Sequence, residues 1–275
     1  MFEYGPGKKL VNFMVWLSWP IIRAGKKYSN VPVLKWIINP FFKRPYNEVT
    51  SVPISVNLDL PKSVPVPGSV LEKLVAKIED KFVLHECICR HHNRRPMEER
   101  TLGCIVLGPA IQRINPSNGR RITTKEAVDH IRRAARMGLI ANIAHVWIDP
   151  LAYWLSFKDL MFICFCDDVN CLYRTHMKDR GPNLDKTYKK LPGITVRVEP
   201  KKCDGCGICA DKCFVAAIAM KNGKALIGPD CKGCGRCVEV CPRKAITLKL
   251  ADEKKLLRQI EDRIREVADI PGIGK

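Results

Sequence analysis

The chain has 275 residues, 46% of them hydrophobic, so it is long enough for one or two domains with a packed core. Its fourteen cysteines are many for this length, but a disulfide scaffold is typical of short secreted chains, and the sequence shows no secretory signal. The formal net charge of +19 favours an anionic partner, which is a nucleic acid, an acidic protein or a membrane surface.

Residues 1–48 are predicted to form an amphipathic helical arm that is basic and aromatic. Its first apolar run covers residues 10–22, about 13 residues, and Pro20 interrupts it, whereas a helix needs ~20 apolar residues to cross a bilayer. Tryptophans 16, 19 and 36 are accompanied by basic residues, which are Arg23, Lys26, Lys27, Lys35, Lys43 and Arg44. This composition favours a segment lying in the membrane interface. Packing on a partner subunit or on the chain's own core are the alternatives.

Residues 49–68 are rich in valine and proline, which predicts an extended linker or edge segment, because proline excludes a helix and disfavours a central strand. A mixed α/β domain is predicted over residues 69–180. Its first helix is expected to begin at Ser69, which forms a capping-box pattern with Glu72. Thr123 and Glu126 show the same pattern at a second helix, and Gly138 stands where a glycine ends that helix.

Three stretches of this middle domain are predicted to be strands: FVLHECICR, IANIAHVWI and LMFICFC. From residue 194 to residue 250 the pattern changes to short strands and dense cysteines. The dipeptide Asn222–Gly223 joins two short apolar runs, which strongly indicates a two-residue hairpin. The last segment, residues 251–275, is predicted to form a helix after Asp252, and its apolar stripe is expected to dock onto the body of the protein.

The cysteines of residues 203–241 form two runs of C-x2-C-x2-C, each followed by a fourth cysteine after three residues. Glycines between the cysteines accept positive φ and let backbone N–H groups approach the sulfurs of a cluster. Three thiolates of one run wrap one cluster, and the fourth cysteine crosses to the other cluster. One predicted ligand set is therefore Cys203, Cys206, Cys209 and Cys241. The second is Cys231, Cys234, Cys237 and Cys213.

Residues 194–250 resemble the bacterial-type ferredoxins with two [4Fe–4S] clusters. The two cysteine runs, the internal pseudo-repeat and the dipeptide Cys241–Pro242 carry this resemblance. The first run departs from the family at Cys213–Phe214, where a proline is usual. The resemblance implies two [4Fe–4S] clusters and one-electron transfer. Zinc is the alternative for paired C-x2-C motifs, but zinc gives no reason for the third cysteine of each run.

Six further cysteines lie upstream with a different spacing: Cys87, Cys89, Cys104, Cys164, Cys166 and Cys171. On a strand the C-x-C spacing places both thiols on one face, so two such strands side by side would bring four thiolates together. Cys104 and Cys171 would complete a nest of six thiolates. A third [4Fe–4S] cluster on four of the six, a larger iron–sulfur centre on five or six, and zinc or buried free thiols are the three interpretations.

The residues around the first upstream pair favour a redox centre, because Arg90, Arg94 and Arg95 would lower the pKa of nearby thiols. The neighbouring histidines 85, 91 and 92 are expected to be surface or core residues rather than ligands. The stretches CICR, GC, ITTKEAVDHIRRAARMGLI and ICFCDDVNC resemble the upstream half of larger ferredoxin-containing proteins of anaerobes. That resemblance implies an extra site and an anaerobic setting, but no substrate.

The whole sequence predicts the α+β class: a C-terminal dicluster ferredoxin-like domain joined to a mixed α/β cysteine-containing domain, with the N-terminal arm. No Rossmann fingerprint or Walker A motif appears, and the basic residues are too dispersed to favour nucleic acid. We therefore expect an electron-transfer subunit that relays low-potential electrons to or from a partner oxidoreductase. The alternatives are a reductase whose six-cysteine centre is catalytic and an iron–sulfur nucleic-acid enzyme or sensor.

The expected environment of this subunit follows from its charge. The ferredoxin-like segment carries many basic residues, so its redox partner is expected to present an acidic docking face. The expected location is cytoplasmic, either free or peripheral at the cytoplasmic face of the membrane. The sequence identifies neither the small-molecule substrate nor the partner.

Overall fold

The structure is a computed structural model that describes residues 3–42, 46–54, 67–175, 177–178, 184, 188–250 and 252–273. Its α-helices are α1 Lys8–Tyr28, α2 Leu34–Ile38, α3 Pro67–Lys77, α4 Ile88–His92, α5 Met97–Arg100, α6 Thr124–Arg136, α7 Ile148–Tyr153, α8 Ile208–Asp211, α9 Arg236–Glu239 and α10 Glu253–Arg265. Its strands are β1 Asn47–Val52, β2 Lys81–Leu84, β3 Ile105–Leu107, β4 Gly119–Arg121, β5 Ile140–Val146, β6 Met161–Cys166, β7 Tyr188–Lys189, β8 Ile194–Val198, β9 Ile218–Lys221, β10 Lys224–Ile227 and β11 Ile246–Leu250.

Seven strands form one sheet in the order β4-β2-β3-β6-β5-β1-β7. All neighbouring strands are antiparallel except β1 and β7, which are parallel. Two smaller antiparallel sheets, β8 with β11 and β9 with β10, belong to the cysteine-rich C-terminal segment. Helices and antiparallel sheets in one chain confirm the predicted α+β class.

The seven-stranded sheet is covered on both faces, and strand β6 shows how its side chains divide. Phe162, Cys164 and Cys166 belong to the hydrophobic cluster that includes α1 and α7. Met161, Ile163 and Phe165 belong to the cluster that includes α3, α6 and α10. Side chains of a strand alternate between its faces, so the two cysteines lie on one face, as predicted.

The termini of helix α6 confirm two predictions. The hydroxyl of Thr123 accepts a hydrogen bond from the backbone N–H of Glu126 at 3.3 Å, and the Glu126 carboxylate accepts one from the backbone N–H of Thr123 at 2.8 Å. This capping box satisfies two N–H groups that would otherwise lack partners. Gly138 lies just beyond the helix with a φ of 67°. Glycine adopts this left-handed conformation at no steric cost, so it ends the helix as predicted.

The predicted capping box at Ser69 is wrong, because α3 already begins at Pro67. The Ser69 hydroxyl donates to the Glu253 carboxylate at the start of α10 instead. Glu72 forms an ion pair with Arg132 of α6, with 2.9 Å between Oε1 and Nε. The partners of both side chains come from distant segments, which local sequence spacing does not reveal.

The predicted linker over residues 49–68 is corrected in its first part. Residues 47–52 form β1, which lies between β5 and β7 and is buried along its whole length. Pro53 follows the strand instead of interrupting it, so no hydrogen bond of the β-ladder is lost. Residues 55–66 of the proposed linker lie outside the described residues.

Both terminal segments pack on the body of the protein. One face of α1, formed by Val11, Val15, Trp19 and Ile22, is buried in the core, which was one of the three alternatives for the arm. Helix α10 docks through its apolar stripe, as predicted. Among the described residues no helix is both long and apolar enough to cross a membrane. Lys43 and Arg44, two of the basic residues of the predicted arm, lie outside the described residues.

His145 on β5 predicts an acid-sensitive component of stability. The ring is 1% exposed, its Nδ1 lies 3.0 Å from the carbonyl oxygen of Leu160, and burial lowers its pKa from 6.5 to about 4. The unfolded chain therefore binds the proton first as the pH falls, and the free energy of unfolding decreases between pH 6.5 and pH 4.

The variant His145→Phe removes this titration and keeps an aromatic ring against Phe157. Between about pH 7 and about pH 5 we expect the variant to lose about 2 kcal/mol less stability than the unchanged protein. Anaerobic urea unfolding of both proteins at the two pH values measures the difference. Equal losses would show that the imidazole does not resist protonation in the folded state.

Candidate iron–sulfur sites

The two cysteine runs of the C-terminal segment have the same backbone geometry, 28 residues apart. Gly207 precedes α8 with a φ of 77°, and Gly235 precedes α9 with a φ of 81°. Ala216 and Lys244, which follow the fourth cysteine of each run, also have positive φ values, 53° and 48°. The glycines predicted to turn the chain all have positive φ: Gly205, Gly207, Gly233 and Gly235. Each run therefore curls tightly enough to surround a compact group.

The first predicted ligand set lines one cavity of about 310 Å³, a volume that includes its mouth. Its cysteines are Cys203, Cys206, Cys209 and Cys241. Cys241 comes from the second run, so the fold brings it beside the three cysteines of the first run. Cys206 is exposed, whereas Cys209 is buried. This site therefore has one edge at the protein surface.

The second predicted set is also brought together. Burial raises the pKa of Cys237, and the charges of its neighbours Cys234, Cys231 and Cys213 add to this effect. Cys213 reaches this group from the first run. Three of the four, Cys213, Cys231 and Cys234, pack against the hydrophobic cluster that includes α1 and the cysteines of β6. The second site therefore lies beside the hydrophobic cluster that covers one face of the seven-stranded sheet.

Backbone N–H groups point at sulfur atoms in both sites. The N–H of Ala217 donates to Sγ of Cys213 at 3.2 Å, and the N–H of Ala245 donates to Sγ of Cys241 at 3.3 Å. Such donors stabilise thiolate charge and raise the reduction potential of a cluster held by those sulfurs. The two bonds occupy equivalent positions of the two halves.

The six upstream cysteines also meet, in a second kind of site. All six line one cavity, which has about 660 Å³ of empty space including its mouth: Cys87, Cys89, Cys104, Cys164, Cys166 and Cys171. The Sγ atoms of Cys166 and Cys171 lie 2.9 Å apart. Cys104 lies near enough to Cys164, and Cys171 near enough to Cys89, for each neighbour to raise the pKa of Cys164 and Cys89. We call this space the six-cysteine cavity.

The first cysteine pair does not lie on a strand, which corrects the sequence-based expectation. Strand β2 ends at Leu84, and Cys87 is the extended residue before α4, so Cys89 lies in the first turn of that helix. The backbones of Leu84 and Gly103 approach so closely that a Cβ on Gly103 would lie 2.1 Å from the Leu84 oxygen. The chain turns after this contact, and the turn directs both thiols into the cavity.

Three cations are buried around the six-cysteine cavity: Lys26 at 3% exposed, Arg90 at 2% and Arg174 at 1%. The ammonium of Lys26 donates to the carbonyl of Leu172, and Arg90 donates to the carbonyl of Phe165 at 2.8 Å. Burial lowers the pKa of Lys26 to about 8, although nearby cysteine charges, Cys171 first, favour its cation. Burying cations is costly unless an anion lies nearby.

Arg174 lies between the six-cysteine cavity and the second ferredoxin-type site. Its guanidinium is 4.1 Å from the ring centre of Phe214, the residue after Cys213. Burial alone would lower the pKa of Arg174, but the charges of Cys234 and then of Asp168 raise it. Its Nε and Nη1 atoms find no hydrogen-bond partner among the described residues.

Asp168 extends this contact into helix α9. It accepts from Arg174 Nη2 at 2.9 Å and lies 2.7 Å from Nε of Arg236. Arg236 in turn pairs with Glu239 at 2.7 Å. An ion-pair network thus joins the loop after β6 to the second cysteine run. Arg174 was not singled out in the sequence, since one arginine after a cysteine carries no specific signal.

A buried acid also lines the six-cysteine cavity. The hydroxyl of Tyr173 donates to Oδ2 of Asp149 at 2.6 Å, and burial raises the pKa of Asp149 to about 7. Local sequence spacing does not indicate this pair, because the two residues come from α7 and from the loop after β6. The cavity therefore contains a carboxyl that is partly protonated near neutral pH.

The histidines near Cys87 are not directed into the cavity. His92 stacks on Trp19 with 4.0 Å between ring centres. His91 contacts Glu86 at 2.9 Å and Asn12 at 3.1 Å. Within the described part of the chain, no group of three or more His, Cys, Asp or Glu side chains is arranged to hold a single metal ion. All fourteen cysteines are free.

Comparisons with curated proteins and with solved structures give no match. Residues 195–255 match the family model described as the 4Fe-4S dicluster domain. This range begins at β8, contains both cysteine runs and ends in α10. The match supports an iron–sulfur electron-transfer role that uses [4Fe–4S] clusters. Near its C-terminus, the chain carries a dicluster ferredoxin domain.

Proposed function

We propose that the protein relays low-potential electrons through two [4Fe–4S] clusters and a third iron–sulfur centre, to or from a partner oxidoreductase. The clusters of the dicluster domain would be held by the two interleaved ligand sets described above. The third centre would be held in the six-cysteine cavity. The observation that carries this third centre is the meeting of six thiols in one cavity surrounded by three buried cations.

The charge of the cavity favours an anionic group over free thiols. Neutral thiols would leave the three buried cations with two aspartates among the described residues: Arg174 pairs with Asp168 at 2.9 Å, and Arg90 lies 3.9 Å from Asp167. A [4Fe–4S] cluster with four thiolates carries a charge of roughly −2 when oxidised, which would compensate these cations. Four of the six cysteines suffice for such a cluster, and a larger centre would use five or six. Zinc with four thiolates is also anionic, so metal analysis must separate it from iron.

The positions of the sites support an order for the relay. Cys206 is exposed, whereas the cysteines of the second site are half-buried, so the Cys206 site is the more accessible to a partner. The site of Cys213 and Cys234 packs against the hydrophobic cluster that also contains Cys164 and Cys166. Electrons would therefore pass between the partner, the Cys206 site, the Cys234 site and the six-cysteine cavity. The side chains of Arg174 and Phe214 lie at the last of these junctions.

The partner is proposed to dock through an acidic face near the exposed cluster site. Basic side chains around that site are exposed: Lys201, Lys202, Lys212, Lys221, Lys224 and Arg243. Opposite charges on the partner would accelerate association, and the rate would fall as salt is added. We also propose a cytoplasmic, anaerobic setting, in which the thiols of the fourteen cysteines stay reduced.

Anaerobic iron and sulfide analysis with EPR of the reduced protein tests the proposed third centre. We expect about twelve irons per chain, because three cubanes hold four each. The double variant Cys166→Ser with Cys171→Ser is expected to lose about four irons and to keep the signals of the dicluster domain. Val169→Ala, an exposed change in the same loop, is the control and should lose none. About eight irons in the unchanged chain, or stoichiometric zinc, would refute the third centre.

Reductive catalysis in the six-cysteine cavity is the second candidate function. The Asp149–Tyr173 pair favours it, since a reduction needs protons as well as electrons and Asp149 can supply a proton inside the cavity. Cyanide distinguishes the two candidates. An EPR change of the third centre on adding cyanide would indicate an iron with an open position, as catalysis requires. A centre whose irons are all bound by thiolates would not respond.

A further inference from the structure

Helix α1 is apolar on two opposite sides. Its inner side is buried against the sheet and the six-cysteine cavity, as described above. Its outer side consists of exposed residues at helical spacing: Leu10, Phe13, Trp16, Leu17 and Ile21. Trp16 and Ile21 are each 61% exposed. A surface helix normally has one apolar side only, so the second apolar side needs an explanation.

The exposed apolar surface continues beyond α1. Trp36 and Ile37 of α2 are 78% and 65% exposed, and Val33 and Phe41 on either side of α2 are exposed as well. We define the outer aromatic face as Phe13, Trp16, Leu17, Ile21, Trp36 and Ile37. Helices α1 and α2 are in contact, and exposed apolar side chains gathered on neighbouring helices mark a protein or membrane contact.

All the formal charges of the segment that carries the outer aromatic face have the same sign. From residue 4 to residue 47 the chain contains no aspartate or glutamate. Lys9, Arg23 and Lys27 are exposed on α1 beside the face. Lys27 lies over the ring of Tyr28 at 5.4 Å, and Lys35 lies over the ring of Trp36 at 5.9 Å. Tryptophans combined with basic residues are typical of segments that lie in the headgroup region of anionic membranes.

We infer that the outer aromatic face binds the surface of an anionic bilayer, with α1 lying in the plane of the membrane. A protein partner is less well matched to this surface. Protein interfaces form about one hydrogen bond per 100–200 Å² at polar rims, whereas this face offers apolar side chains and cations. Lipid phosphates supply the opposite charge, and the acyl boundary takes up the aromatic rings.

This contact would bring the six-cysteine cavity close to the membrane. Val15 and Trp19 on the inner side of α1 line that cavity, while Trp16 and Leu17 on the outer side would contact lipid. Only the thickness of one helix, ~10 Å with side chains, separates the two. The inference goes beyond the proposed relay and does not depend on how many clusters the protein holds.

Flotation of the full iron-loaded protein with vesicles tests the inference. We expect binding to vesicles of phosphatidylcholine with phosphatidylglycerol, and little binding to phosphatidylcholine alone. The double variant Trp16→Ser with Leu17→Ser should bind at least tenfold more weakly, roughly the effect of removing two inserted apolar side chains. Arg23→Glu with Lys27→Glu should weaken binding by about fivefold for each basic residue removed, and added salt should have the same direction of effect.

Leu226→Ser is the matched control, because Leu226 is 55% exposed on β10, away from the outer aromatic face. It should bind as the unchanged protein does. Iron content and circular dichroism show that each variant is folded. Failure to bind anionic vesicles, or unchanged binding by the Trp16 and Leu17 variant, would overturn the inference. Binding to native membranes but not to vesicles of their extracted lipids would overturn it in favour of a membrane protein partner.

Discussion

Removal of iron is expected to unfold β9, β10, α8 and α9 while the seven-stranded sheet stays folded. The hydrophobic cluster at the centre of these elements contains only four buried residues: Cys209, Ile218, Ala225 and Ile246. So small a core does not offset the conformational entropy of ordering the loops around it. Bound clusters would supply the missing free energy, since metal binding and folding are coupled in such segments.

Anaerobic hydrogen exchange before and after chelation measures this effect. Amides of β9 and β10 should lose protection almost completely, whereas amides of β5 and β6 should keep most of theirs. The sheet strands serve as the internal control, because large clusters cover them on both faces. Protein incubated with the chelator but still carrying its iron provides the second control. Retained protection in β9 and β10 without iron would show that the domain folds on its own.

The interleaved ligand sets lead to a second large effect. Cys241→Ser should lose the same cluster as Cys206→Ser, although position 241 belongs to the other run, because both cysteines line one cavity. Cys213→Ser should instead match Cys234→Ser. Each variant is expected to lose about four irons, and the two pairs should leave two different EPR spectra.

Serine has nearly the shape of cysteine, so these variants disturb packing as little as the chain allows. The spectra of the two pairs also identify which cluster has the exposed edge, since Cys206 is at the surface. If Cys241→Ser gave the spectrum of Cys234→Ser, each run would hold its own cluster, and the crossing over would be wrong. Loss of all iron in any single variant would show that the two clusters assemble only together.

Arg174 shows why part of the site lies beyond sequence reasoning. Its neighbours are Asp168 and Cys171 along the chain, but its importance comes from Phe214 and Cys234 in the dicluster domain. Lys26 likewise reaches the carbonyl of Leu172 from a helix nearly 150 residues earlier. No local spacing indicates such contacts, since they arise when distant segments pack together.

Local patterns predicted well where the interaction itself is local. The hairpin at Asn222–Gly223 has positive φ at both residues, and the capping box of Thr123 and Glu126 is present, because each depends on residues within one turn. The prediction at Ser69 is wrong because the interaction is not local: the Ser69 hydroxyl donates a hydrogen bond to the carboxylate of Glu253 in α10. The strand assigned to Cys87 also ended early, where the backbone of Gly103 approaches that of Leu84.

By itself, the sequence determined the dicluster domain, the α+β class and three strands of the large sheet, β2, β5 and β6, because cysteine spacing, turn residues and alternation act over short separations. Only the tertiary structure decided that six upstream thiols share one cavity, that three cations are buried around it, and that α1 covers it with one side while exposing the other. Burial and charge pairing depend on which distant segments pack together. Local sequence patterns do not show this, because those segments meet only when the chain folds.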